Sequence, residues 1–223
     1  MSLRPDKKSD LDKQWMIRRV GKTKQIHPEY HLIVTEGIKT EPKYFGAVRN
    51  RINSKYRERI QLEVVGAGDN TVGIFERAKA LAEANLNGYK HVWIVYDTDD
   101  FPKEKINLVA ELCQNNSTQS RQYHAIWSNQ CIELWFLLHF SFMHSDLHRT
   151  EYFPKLTECL SIISKGKYTK NRDDIFDVLE PYLDAAIANA KALNEINKDK
   201  TPAESAPGTK VYELMEKLKP YIR

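Results

Sequence analysis

The segment HVWIVYDTDD, residues 91–100, decides how the chain reads. Its apolar run, Val92 to Tyr96, ends abruptly in Asp97, Thr98, Asp99 and Asp100. A short continuous run of β-branched and aromatic residues reads as a strand buried on both faces. Carboxylates crowded behind such a strand raise one another's pKa, and a divalent cation is the usual relief. A matching segment, HLIVTE, lies upstream at residues 31–36, where a second apolar strand ends in Glu36. The expectation is that these two strands lie side by side and that Glu36, Asp97 and Asp99 hold a metal at their shared end.

Outward from these strands, the apolar periodicity alternates. After strand 31–35, a turn at residues 36–39 leads to a helix from Thr40, a candidate N-cap, to about residue 53. Glu41 and Pro42 occupy its first turn, and Tyr44, Phe45, Val48 and Ile52 share one face. Residues 60–65 read as a strand, and the Gly-rich turn after them lacks P-loop spacing. Asn70 or Thr71 caps a helix running to about residue 87. Beyond the opening segment come a helix at residues 103–114, a strand at 123–127 and an apolar helix at 131–140. Connectors too long for hairpins argue a parallel sheet with helices on both faces. Right-handed crossovers and strand order 2-1-3-4 make strands one and three neighbours at the switch point, where ligands bind at strand carboxyl ends.

The rest of the chain differs in character. Residues 1–29 carry Arg18, Arg19, Lys22 and Lys24 around Trp15, either a solvated arm or a nucleic-acid contact. Residues 141–223 read as a helical appendage on the α/β core at 30–140. Its helices fall at 149–164, 173–193 with a break at Glu180–Pro181, and 209–218; residues 194–208 read as a mobile polar loop. Cys113, Cys131 and Cys159 form neither a disulfide framework nor a zinc knuckle. No apolar run approaches the ~20 residues that span a bilayer, and the charged start has no signal-peptide core. A reduced, cytoplasmic protein is the expectation. A net charge of +4 is compatible with a nucleic-acid partner and is too small to require one.

The candidate ligands all offer oxygen, which suits Mg2+ or Mn2+ rather than zinc. In extended backbone Asp97 and Asp99 point the same way, and Asp100 points away. Each candidate has a plainer alternative. Glu36 can be a polar strand end, the aspartates a solvated turn, and Glu41 a carboxylate favoured by the helix dipole. Glu133, in the first turn of an apolar helix, is either an exposed N-terminal carboxylate or a site residue. Ser128 and Asn129 can donate to a phosphate or orient a ligand, and Asn129 can equally cap the helix. The histidines show no ligand spacing except His144 and His148, a pair typical of plain surface. Cys131 reads as a small core residue.

Four blocks, LIVTEGIKTEPKYF, EVVGAGDNT, VWIVYDTDDF and WSNQCIELWFLLHF, resemble the RloB-like family in the right order, with looser likeness at Gly166–Lys170 and Thr209–Val211. The resemblance implies a Toprim-type (Rossmann-like) core, in which Glu36, Asp97 and Asp99 bind Mg2+ and Glu41 and Glu133 match further acidic positions of nuclease-type members. It also implies a setting near restriction-modification genes in phage defence, with a defence-locus protein as a possible partner. The chain departs from the OLD-type nucleases in lacking an ATPase motif. The leading expectation is a Mg2+- or Mn2+-dependent nuclease acting on DNA or RNA, with Lys39, Ser128, Asn129 and Lys170 as phosphate or substrate contacts. The alternatives are a non-cleaving Toprim module that binds nucleic acid or nucleotide and acts through a partner, and an interaction protein without a carboxylate cluster.

Overall fold

The computed structural model describes residues 28–68, 72–86, 88–98 and 102–222. The basic cluster near Trp15, the caps Asn70 and Thr71, and the carboxylates of Asp99 and Asp100 lie outside these residues. The element order is β1 (Glu29–Thr35), α1 (Thr40–Tyr56), β2 (Ile60–Gly66), α2 (Gly73–Ala84), β3 (His91–Asp97), α3 (Lys103–Asn116) and β4 (Gln122–Ser128). There follow α4 (Glu133–Leu137), α5 (Arg149–Ile162), α6 (Ile175–Leu179), α7 (Leu183–Ile196) and α8 (Val211–Ile222).

The four strands form one parallel sheet in the order β2-β1-β3-β4, as the alternation predicts. Side-chain parity explains its two-sided burial. Leu32, Val34, Val92, Ile94 and Tyr96 pack with Ile74, Phe75, Ala78, Ile106 and Val109 of α2 and α3. Ile33, Trp93, Val95 and Ile126 point the other way, into a core shared with α1 and the helices after β4. Both faces are dry at the central strands, so β1 and β3 read as continuous apolar runs, whereas β2 at the sheet edge alternates and exposes Glu63. Four large side chains of α1, Tyr44, Phe45, Val48 and Ile52, are fully buried. Each contributes about 1.5–3 kcal/mol of transfer free energy, which offsets a helix start with no side-chain cap.

Several local expectations are corrected. Thr40 is the first helical residue rather than the cap, because its hydroxyl is drawn away to donate to the Lys170 carbonyl at 3.0 Å. The apolar helix after β4 is only five residues long; its end tightens as the His139 and Phe140 amides bond carbonyls three residues back. Helix 173–193 breaks at Pro181 as predicted, with a 3-10 turn over Glu180–Tyr182. Residues 194–208, expected to be mobile, are tied down by their own polar groups. Asn197 donates to the Pro207 carbonyl at 2.8 Å, and the Ala203 amide donates to Asn107 of α3 at 3.1 Å. Thr201 and Glu204 form a capping box. Thr209 then bridges antiparallel to Ser128, which joins the C-terminal region to the end of β4.

Candidate active site

Glu36 follows β1 without leaving the sheet. Its amide donates to the Val95 carbonyl at 2.9 Å, and its carbonyl accepts from the Gly68 amide at 3.1 Å. Its carboxylate reaches across to β3, where Oε2 accepts the Asp97 amide at 3.0 Å. The two acidic strand ends therefore meet. Asp97 has the parity of Trp93 and Val95, so it belongs to the face covered by α1 and α4.

The turn after Glu36 is folded around a second carboxylate. Glu41 is 7% exposed, and its carboxylate accepts from its own amide and from that of Gly37. Any Cβ on Gly37 would lie 2.3 Å from Glu41 Oε2. A side chain at residue 37 therefore makes the Glu41 carboxylate shift. Gly37→Ala is expected to pull that carboxylate off the Gly37 and Glu41 amides and to cost about 1–3 kcal/mol of stability, the penalty for leaving hydrogen-bonding groups unsatisfied. Urea midpoints check this, and an unchanged midpoint would refute it.

Glu133 opens α4 and is 1% exposed. The turn that brings it over the sheet end is tight: Gln130 adopts the left-handed region, with φ 62°, and the Cys131 amide donates to the Asn129 carbonyl at 2.8 Å. Glu133 Oε1 accepts the Tyr168 hydroxyl at 2.8 Å and its carboxylate also accepts the Cys131 thiol. Burial, then the neighbouring Glu133, pushes the Glu41 carboxyl above its ordinary range; Lys170 and the two amides work against that shift. Burial also raises Cys131, with Glu133 and Asp97 adding to it.

Glu36, Gly37, Ile38, Lys39, Thr40, Glu41, Asp97 and Lys170 line an open cleft of about 400 Å3. Lys39 and Lys170 are exposed on it, the latter brought from the C-terminal region. Ser128 and Asn129 are placed differently from expectation. Ser128 sits opposite Asp97 in the sheet register but is 1% exposed, its hydroxyl within 2.8 Å of Thr209 Oγ1. The Asn129 amide donates to Gly208 at 2.8 Å, while its buried Oδ1 has no hydrogen-bond partner. A buried carbonyl oxygen in that state is costly. The carboxylates that line the cleft, Glu36, Glu41 and Asp97, offer only hard oxygens, the donor type that fits a magnesium-type cation.

Sequence spacing misses a second titratable cluster at the amino ends of the strands. Glu29, His31 and His91 place ligand atoms within 4.8 Å of one another. The register pairs His31 with His91, and that pairing is the signal that could have found them. His31 Nε2 lies 3.0 Å from Glu29 Oε1, and the Trp93 indole donates to His31 Nδ1 at 3.1 Å. A neutral His31 therefore carries its proton on Nε2, whereas a metal-bound one would need it on Nδ1, facing another N–H. His91 Nε2 stands 3.3 Å from the same oxygen without hydrogen-bond geometry, and its Nδ1 meets His124 Nε2 at 2.9 Å. Lys90 and Lys217 also pair with Glu29. Three atoms at this spacing can hold a cation, but the Trp93 donor and two ammonium groups favour a neutral hydrogen-bond network. His144 and His148 make no such cluster; His148 Nδ1 accepts the Thr150 amide and caps α5.

A family model for RloB-like proteins matches residues 31–218. No curated protein and no solved structure matches the chain. Among the described residues no helix is long and apolar enough to cross a membrane. Matched from the strand that leads to Glu36 through to the last helix, the chain belongs to the RloB-like protein family.

Proposed function

We propose that the chain is a Mg2+- or Mn2+-dependent nuclease that hydrolyses phosphodiester bonds of DNA or RNA, acting in bacterial anti-phage defence of the abortive-infection type. The observation that carries this reading is the meeting of Glu36 with the Asp97 strand end, beside Glu41 and Glu133 and under two lysines. The core is taken as Toprim-type, with Glu36, Asp97 and, by the D-x-D spacing, Asp99 holding the cation. The defence setting rests on family resemblance alone.

The cation supplies charge stabilisation at phosphoryl oxygens when bound. The chain's own groups do the rest. Lys39 and Lys170, on the rim, bind flanking phosphates as point charges. The β1 and β3 ends hold Glu36 and Asp97 on hydrogen-bonded sheet backbone, and Glu41 forms a buried wall of the cleft with Glu133 behind it. Glu41, with its raised pKa, can hold or take a proton at a carboxylate oxygen.

The test is a cleavage screen on single- and double-stranded DNA and RNA, with Mg2+ or Mn2+ and with chelator. Products that require the metal are expected from at least one substrate class. Salt-sensitive binding without products would replace this reading with the non-cleaving module acting through a partner.

A further inference from the structure

We propose that Tyr168, brought from the C-terminal region by residues 163–174, is a positioning residue that fixes Glu133 behind Glu41, on the buried side of the cleft wall, and through that pair the cation site; the inference rests on the metal-dependent reading above. Glu133 is nearly inaccessible, and the Tyr168 hydroxyl, itself only 7% exposed, donates to its Oε1 at 2.8 Å. That hydroxyl has little freedom. The ring stacks on Phe153 with centroids 5.8 Å apart and 12° between planes, and meets Phe136 edge-on at 6.3 Å. The Tyr168 amide donates to Thr157 Oγ1 at 3.2 Å.

The segment around Tyr168 is pinned from both sides. Thr40 donates to the Lys170 carbonyl, and Lys43 donates to that of Asn171 at 2.6 Å. Arg172 folds back on the carbonyls of Lys165 and Lys167, at 2.7 and 3.3 Å. The same first turn of α1 that carries Glu41 thus anchors the segment that orients Glu133. With one oxygen held by a fixed hydroxyl and the Cys131 thiol donating to the same carboxylate, Glu133 keeps one orientation beside Glu41, as groups behind metal ligands do. Tyr168 touches neither substrate nor cation in this arrangement; it acts through Glu133.

Tyr168→Phe keeps the ring packing and removes only the hydroxyl. In calorimetric titrations with Mn2+, the full-length variant is expected to bind about 10–100-fold more weakly than the parent, with a metal-free melting curve recorded alongside. Glu133→Gln separates positioning from general loosening. If Tyr168 works through Glu133, adding Tyr168→Phe to Glu133→Gln costs less than about twofold further, the signature of two coupled residues. Parent-like Mn2+ affinity in Tyr168→Phe, or losses that multiply in the double variant, would overturn the proposal and leave the nuclease reading standing. Failure of the parent protein to bind Mn2+ would overturn both.

Discussion

Asp97→Asn is expected to lower metal-dependent cleavage by more than about 10²-fold, and Glu36→Gln to do the same. Loss of a group that merely orients a metal ligand already costs about 10–100-fold, and these variants remove carboxylates taken as direct ligands. Both substitutions are close to isosteric. The Asp97 amide still has an oxygen to donate to in Glu36→Gln, and the backbone bonds of Glu36 to Val95 and Gly68 do not involve its side chain. The sheet end should therefore persist. In the metal-free protein, removing one of two adjacent negative charges relieves repulsion, so the melting temperature should hold or rise. In the presence of Mn2+ the order reverses, because the parent gains stability from the ion in proportion to its affinity and the variants do not. Full cleavage with parent-like Mn2+ stabilisation in both variants would remove Glu36 and Asp97 from the site.

How much of this was readable beforehand follows from what kind of interaction each feature needs. The sheet order comes from alternating apolar runs with long connectors, which a linear pattern records directly. The approach of Glu36 to Asp97 follows from that order alone, since both are the first acidic residues at the carboxyl ends of the apolar runs in neighbouring strands. The Tyr168–Glu133 contact does not, because it spans 35 residues and depends on how the C-terminal helices seat against α4. The burial of Ser128 does not follow from local sequence for the same reason. Nothing local reveals that Thr209 comes back, 81 residues later, to occupy its hydroxyl. The strand-start histidines were invisible as a cluster because their spacing along the chain is irregular; only the β1–β3 register sets His31 beside His91. Thr40 looked like a cap by residue type, and a tertiary carbonyl took its hydroxyl instead.

The buried histidines carry the other large effect: the fold should lose much of its stability between neutral pH and about pH 4. Burial, then His91, lowers His31 to about 4, and burial lowers His139 to about 4, both from 6.5. A histidine whose folded pKa is depressed favours the folded state only while neutral. The loss therefore begins as pH falls below the unfolded value, 6.5, and levels off near 4. The structure shows why protonation is unwelcome. A proton on His31 Nδ1 would face the Trp93 indole N–H, and one on His139 Nε2 would enter a buried position with no acceptor. Each shift corresponds to on the order of 3 kcal/mol, against a total stability of about 5–15 kcal/mol. The two residues share no hydrogen-bond partner, so their effects should add. Glu29 does not confuse this window. Burial alone would raise it, but Lys90, His31 and Lys217 hold it at about 2, so its contribution is complete above the unfolded value, 4.5, and most of its loss falls below about pH 4. Glu41 runs the opposite way. Its raised carboxyl is relieved by protonation as pH falls, so Glu41→Gln should steepen the acid loss while His139→Phe should shallow it. Urea midpoints measured with chelator from about pH 7 to about pH 4 give the answer. A flat midpoint across that range, or an unchanged slope in His139→Phe, would mean that the buried rings do not control acid stability.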